Sequence, residues 1–339
     1  MNPSLEAAVR AHRESAALEK LIGASEEFRR ASQTATLAAR GDATVLIAGE
    51  TGTGKELFAR AIHYISERAP NPFVAVNCGS LTDSLLEDEL FGHERGAFTD
   101  AQLRRRGLIA QAGTGTLFLD EVDALSARGQ VALLRVLQDR IYRPLGSQQE
   151  SYADVRFVAA TNAPLDELVE AGSFRADLYY RLCVFAVSLP PLRNRREDIV
   201  ALASHFLCKH APREQEEVPA LSRGAQAALL AYPWPGNVRE LESAMIRAAR
   251  LCGGGSIEAE HLLLPSRGGA ADQSASPGTF QSLKLDAIRR FEEGYLKRLM
   301  QDARGNVTRA ARLAGKDRRE LGKLLKKHGL AAGKTHTRG

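Results

Sequence analysis

The stretch TVLIAGETGTGKE, Thr44–Glu56, restricts the fold of this chain more than any other feature. A short continuous apolar run ends in a glycine-rich loop, and the loop opens straight into a segment of helical period. Gly49, Gly52 and Gly54 let successive N–H groups converge on phosphate oxygens, with help from the positive end of the helix that follows. Glu50, Thr51 and Thr53 complete the loop, and Lys55 is spaced to reach the β- and γ-phosphates of a nucleotide. The general pattern closes on Ser or Thr, whose hydroxyl binds Mg²⁺; here Glu56 stands in that place.

Four further apolar runs share the character of the first: PFVAVN (Pro72–Asn77), GTLFLDE (Gly115–Glu121), VRFVAATN (Val155–Asn162) and VFAVSLP (Val184–Pro190). Segments readable as helices separate them. That alternation predicts a parallel sheet covered on both faces, an α/β core. From Arg195 to about Leu264 the pattern becomes helical only, and PSRGGAADQSASPG after it has the composition of a flexible linker. The expected organisation is a short extension over 1–20, an α/β subdomain over 21–190, a helical subdomain over 191–264, a linker over 265–279 and a small helical domain over 280–339.

Two of these runs end in residues suited to phosphate chemistry. Asp120 and Glu121 close an apolar strand, where Asp120 suits Mg²⁺, directly or through water, and Glu121 can polarise an attacking water. Asn162 closes another and can hydrogen-bond the γ-phosphate or that water; Asn77 can hold Glu121 away until it is needed. Read alone, each Asn is a turn residue before it is a functional one.

Charge separates the ends of the chain. The net charge is +5, yet residues 304–339 hold eleven Lys/Arg against two acids, so the remaining 303 residues net −4. A mildly acidic body with a basic tail suggests a catalytic or assembly domain joined to a nucleic-acid-binding module. The tail reads as two short helices divided near Gly315, with Asp317 and Glu320 in a capping arrangement for the second. Val307, Ala310, Ala311 and Leu313 are expected to pack on Leu321, Leu324 and Leu325. Arg318, Arg319 and Lys323 then face outward as candidates for the major groove of double-stranded DNA, with Lys326 and Lys327 on its backbone. The four cysteines are scattered with no C-x-x-C pair, which argues against zinc and disulfides. No apolar run approaches the roughly 20 residues of a membrane span and no secretory signal opens the chain, so a cytoplasmic protein without membrane partners is expected.

One stretch fits none of these periods: ELFGHERGAFTDA, Glu89–Ala101, sets Phe91 and Phe98 among glycines and charges. An exposed loop usually avoids large apolar residues, so Phe98 is a candidate contact for something outside the fold.

Taken in order, GETGTGKE, ELFGHERGAFTDA, GTLFLDE, FRADLYYRL, WPGNVREL and the basic helix pair resemble the bacterial enhancer-binding proteins, the AAA+ ATPases that activate sigma-54 RNA polymerase. The resemblance runs from about Leu21 to Leu330, and Glu56 after the loop lysine is usual in that family. It implies an AAA+ P-loop NTPase core with a parallel sheet, a helical lid and a C-terminal Fis-type helix-turn-helix domain. It further implies ATP and Mg²⁺ as cofactors and a ring, usually a hexamer, with each nucleotide held between neighbours. Arg175 and Arg181 match arginine fingers, although Asp177 also offers Arg175 an ion pair within the chain. Arg239 matches the second sensor on the lid. Gly96, Ala97, Phe98, Thr99, Asp100 and Ala101 match the hairpin tip that contacts sigma-54, with Asp100 where the family has its second glycine. About 20 residues precede LIGAS, leaving no room for a receiver domain, so control by a separate regulatory protein or by expression level is expected. The function expected is ATP-driven remodelling of the sigma-54 closed complex by an activator that binds upstream DNA as dimers. The alternative is a DNA-binding regulator with an AAA+ ATPase that does not engage sigma-54.

Overall fold

The computed structural model describes residues 15, 17, 19, 21–80, 82–98, 101–210, 218–265, 296, 299, 300, 303, 306–315 and 317–327. Contacts divide the chain into two units, Met1–Leu264 and Pro265–Gly339. Beyond Pro265, the expected linker at 265–279 lies outside the described residues.

In the first unit α1 (Glu26–Ala39) precedes β1 (Val45–Ala48), and α2 (Lys55–Ile65), β2 (Phe73–Asn77), α3 (Asp83–Phe91), α4 (Leu108–Ala112) and β3 (Thr116–Asp120) follow. Next come α5 (Ala127–Asp139), β4 (Arg156–Thr161), α6 (Leu165–Glu170), α7 (Ala176–Leu182) and β5 (Phe185–Ser188). Each strand falls within one of the five apolar runs. They pair in parallel in the order β2-β3-β4-β1-β5.

Because side chains alternate along a strand, a run that is apolar throughout must be covered twice. In β3, Leu117 and Leu119 join Leu46 and Phe157 in one buried cluster. Phe118, between them, joins Val45, Ile47, Val158 and Val187 in the other, beneath α1 and α2. Each such side chain contributes roughly 1.5–3 kcal/mol on burial. The parallel strands carry their carboxyl ends to one edge, where β1 sits between β4 and β5 and the crevice for a ligand opens.

Two small hairpins accompany the sheet: the first flanks the tip that the resemblance implies at Gly96–Ala101, and the second has no signal in the sequence. Gly92–His93 pairs with Arg105–Arg106, and Ile141–Tyr142 pairs with Ser151–Tyr152. Two-residue strands are too short to show a period.

The helical subdomain comprises α8 (Arg196–His210), α9 (Arg223–Ala231) and α10 (Asn237–Leu251). They close on Trp234, which is fully buried and donates its indole N–H to the Leu229 carbonyl at 2.8 Å. The buried Asp198 of α8 accepts from Ala24 N (2.6 Å), Ser25 N (3.0 Å) and Ser25 Oγ (2.9 Å), tying the start of α1 to this subdomain. Among the described residues no helix is long and apolar enough to cross a membrane.

The second unit holds α11 (Val307–Leu313) and α12 (Arg318–Lys327), joined through Gly315 at φ +59°. Asn306 Oδ1 accepts from Thr308 N and Arg309 N at 3.0 and 3.1 Å, and Asp317 Oδ1 accepts from Arg319 N at 2.8 Å. These are the caps that start each helix. Ala310, Ala311, Leu321 and Leu325 are buried together with Val307 against them. Leu313, the last residue of α11, departs from the expected packing: it is 58% exposed and lies outside the buried cluster. Arg318, Arg319, Lys323 and Lys326 are exposed, while the side chains of Leu324 and Lys327 lie outside the described residues.

Candidate nucleotide site

The loop between β1 and α2 is shaped by positive-φ glycines, Gly52 at +80° and Gly54 at +104°. A Cβ on Gly52 would lie 2.3 Å from the Gly236 carbonyl oxygen, so only glycine lets the loop approach the lid this closely. Lys55, the first residue of α2, is largely buried and its Nζ donates to the carbonyls of Gly49 (2.7 Å) and Glu50 (3.2 Å). Burial pushes the lysine pKa down, and Asp120, Asp123 and Glu121 oppose that shift. Those three acids mark the ammonium as facing the acidic end of β3. Glu56 points away to Arg60 at 2.7 Å and does not replace the missing hydroxyl.

Asp120 ends β3, and burial raises its pKa above the usual carboxylate range despite the N–H it receives from Glu121 at 3.0 Å. Glu121 takes a left-handed conformation, φ 54° and ψ 50°. Its carboxylate lies over Gly79, where an added Cβ would be 2.6 Å from Oε2. Asn77 Oδ1 accepts from Gly79 N at 2.9 Å. Asn77 and Glu121 therefore meet at Gly79 with no hydrogen bond between them, in place of the restraining contact expected from the sequence. Cys78 is buried beside these acids, and burial with their charges pushes its thiol up to about 12.

Asn162 follows β4, its backbone N–H donating to Asp123 Oδ1 at 3.3 Å. Thr161 Oγ1 donates to the same carboxylate oxygen at 2.7 Å, so Asp123, absent from the sequence reading, holds the Asn162 turn in place. Among the described residues no cluster of three or more His, Cys, Asp or Glu side chains can hold a metal unaided. Mg²⁺ is commonly held by one or two carboxylates together with substrate phosphates and water, and Asp120 beside the loop fits that role.

The lid completes the crevice. Arg239, in the first turn of α10, donates its backbone N–H to Gly52 O at 3.4 Å, and its charge acts on Lys55. Next to the loop lies a cavity of about 700 Å³ whose walls include Leu21, Ile22, Gly54, Leu57, Leu202 and Val238. An apolar cleft adjoining a phosphate loop suits a flat heteroaromatic base. No single sequence motif signals it, because its walls come from four separate segments.

The remaining predicted residues lie elsewhere. Arg175 stands just before α7 and pairs with Asp177 at 2.7 Å, the intrachain partner its sequence suggested. Arg181, in the last turn of α7, is exposed and has no ion pair among the described residues. Gly96, Ala97, Phe98 and Ala101 sit between the paired segments Gly92–His93 and Arg105–Arg106. Gly96 N donates to Ala101 O at 2.8 Å and Ala101 N to Phe98 O at 3.0 Å, closing the tip. Phe98 is 45% exposed and its ring meets His93 edge-on at 4.9 Å. Thr99 and Asp100 lie outside the described residues.

Comparison with known proteins matches residues 21–188 to the sigma-54 interaction domain and residues 193–278 to an AAA+ ATPase lid domain. The chain is 45% identical over 314 residues to the transcriptional regulatory protein GlrR of Escherichia coli K12, covering 93% of this chain and 69% of that protein. It is 46% identical over 302 residues to the transcriptional regulatory protein ZraR of Klebsiella oxytoca, covering 89% and 67%. Among solved structures, NtrX of Brucella abortus in complex with ADP superposes with a TM-score of 0.71 at 35% identity, covering 91% of this chain and 69% of that one. The same protein has been solved with ATP.

Proposed function

The chain belongs to the sigma-54-dependent transcriptional activators, with the AAA+ ATPase core and lid of that family, and we propose that it hydrolyses ATP to remodel the sigma-54 RNA polymerase closed complex. The observation that carries this reading is a convergence. Lys55, the Asp120–Glu121 pair and Arg239 come from three separated segments to one crevice, while Phe98 stands exposed on a hairpin. The first set suits a nucleotide triphosphate with Mg²⁺; the second suits a protein partner.

In this reading the loop N–H groups and Lys55 would hold the β- and γ-phosphates, and Asp120 would hold a Mg²⁺ ion whose charge would offset theirs. Glu121 polarises the attacking water, Asn162 orients it, and Arg239 reports loss of the phosphate through the lid. Arg181, exposed and unpaired among the described residues, is available to a neighbouring subunit's γ-phosphate. Arg175 must first leave Asp177. A ring is therefore needed for a complete site. Arg318, Arg319, Lys323, Lys326 and Lys327 supply DNA contacts, and neutralising phosphates makes that binding weaken steeply with salt.

Glu121→Gln should keep ATP and Mg²⁺ binding and reduce turnover by roughly a hundredfold or more, the usual contribution of a positioned base. Steady-state ATPase rates equal to the parent's would remove Glu121 from the mechanism. The whole reading is tested by incubating purified protein with sigma-54 holoenzyme, ATP and a pre-bent promoter. Open complexes that require ATP are expected. ATP hydrolysis with closed complexes only would favour a regulator that does not engage sigma-54.

A further inference from the structure

Glu50 poses an electrostatic problem, because a carboxylate in a phosphate-binding loop repels the ligand. The structure turns it the other way. Its two oxygens accept from both terminal nitrogens of Arg193, at 2.5 and 2.8 Å, in the side-by-side geometry that gives a guanidinium–carboxylate pair its direction. Arg193 belongs to the turn Leu192–Asn194 that joins the sheet to the lid. That pair and a further bond from Asn237 hold the Glu50 carboxyl down at about 2, well below its ordinary value. It is therefore ionised throughout the neutral range.

Asn237 is the second partner. It is fully buried, with φ +54°, at the first position of α10. Its Nδ2 donates to Glu50 Oε2 and to Thr51 O, both at 3.1 Å, and its Oδ1 accepts from Leu192 N at 2.7 Å. One amide thus joins the phosphate loop, the connecting turn and the lid helix. Val238 N adds a bond to Gly52 O at 2.9 Å. A strained backbone conformation persists where surrounding bonds over-determine it, and here they do.

The backbone of Glu50 faces the opposite direction. Its carbonyl is one of the two that receive Lys55 Nζ, and it also accepts from Thr53 Oγ1 at 2.8 Å. An arriving phosphate competes for the lysine's donors and so withdraws one of them from Glu50. The same residue then feels phosphate on its main chain and holds the lid by its side chain.

We propose that Glu50, Arg193 and Asn237 form a latch that couples occupancy of the phosphate loop to the position of the lid. Glu50 is thus a positioning residue acting through Arg193 and Asn237, not a ligand of the nucleotide. The coupling rests on the nucleotide reading of the crevice given above. Coupling between two sites is reciprocal: a lid held in place favours nucleotide, and nucleotide favours the held lid. When the latch is removed the lid must be ordered during binding, and affinity falls by that cost.

The test uses the full chain as parent, Glu50→Gln, Arg193→Met, Asn237→Gly and the double variant Glu50→Gln/Arg193→Met. Arg193 is half exposed, so Arg193→Met leaves the core intact, and glycine accepts the φ of Asn237, so Asn237→Gly adds no backbone strain although it empties a buried site; a melting curve of each variant accompanies the titration. ATP affinity is measured by titration with Mg²⁺, and amide exchange is followed at Leu192 and Val238. Each single variant is expected to lose ATP affinity by roughly tenfold, within the usual range of coupling. The double variant should lose no more than either of its parts, the signature of groups acting together. Exchange at Leu192 and Val238 should rise while strand amides such as Leu117 and Leu119 keep their protection. If Glu50→Gln alone loses affinity while Arg193→Met and Asn237→Gly bind as the parent does, Glu50 touches the nucleotide directly and the latch is wrong. Variants indistinguishable from an ATP-binding parent overturn the coupling alone, whereas a parent that binds no ATP overturns the nucleotide reading and the coupling with it.

Discussion

A Lys55→Ala protein is expected to lose ATP affinity by about two orders of magnitude and to retain its fold. The magnitude follows from the contacts a buried ammonium makes to phosphate. Hydrogen bonds to charged groups contribute about 1.5–3 kcal/mol each, so losing one to two of them costs roughly 3 kcal/mol, or about two decades in affinity. Lys55 donates to two carbonyls of its own loop, and both lie within six residues of it. Neither is a long-range contact of the core. Thermal unfolding of the variant should therefore stay close to that of the parent, and DNA binding by the separate second unit should survive. The measurement is a nucleotide titration beside a melting curve. Unchanged ATP affinity would contradict the phosphate-loop assignment, and a collapsed melting curve would show that the lysine is structural.

The parts of this molecule that were legible in the sequence share a physical reason. β3 is apolar at Leu117, Phe118 and Leu119 because both faces of the strand are covered, and a run apolar at consecutive positions has few other uses. The loop after β1 needs glycine for its conformation and for its approach to Gly236, so its spacing is readable without coordinates. The cap of α12 was equally plain, since Asp317 acts over two residues; Asn306, which caps α11 in the same local way, was not singled out.

What escaped the sequence depends on contacts between distant segments. Asp198 bonds the backbone at residues 24 and 25, and Asn237 bonds Glu50 across 187 positions, with no local pattern to announce either. Asp123 falls only two residues beyond Glu121, yet its partner Thr161 lies in a neighbouring strand. The cavity beside the loop is similar, assembled from the segment around the start of α1, the start of α2 and two helices of the lid. Asn77 shows the opposite case. Its position at the end of β2 is correct to the residue, opposite Asp120 in register, but register alone does not say which oxygen the side chain will meet.

Truncating Phe98 to alanine is expected to abolish engagement of sigma-54 while leaving ATP turnover largely intact. Phe98 is 45% exposed, and among the described residues its one ring contact is with His93, which is itself buried. The hairpin beneath it is held independently of the phenyl group. His93 Nδ1 lies 2.5 Å from Asp88 Oδ1, its Nε2 lies 2.9 Å from Leu103 O, and Leu145 bonds Gly92 O and Glu94 N through its own backbone at 2.8 and 3.0 Å. Removing the ring thus takes away a surface group without loosening its base, and none of these contacts involves Lys55, Asp120 or Arg239. Asp100 is the departure from the resembled tip, placing a carboxylate where glycine adds neither charge nor a Cβ. Aspartate is well accepted at a turn, so the charge rather than the turn shape is what a partner meets. Asp100→Gly should accordingly retain or improve engagement, read as the yield of a complex trapped with ADP and a metal fluoride. A parent that forms no trapped complex where the glycine variant does would assign this chain to regulators that keep the ATPase without engaging sigma-54, and would identify one carboxylate as the reason.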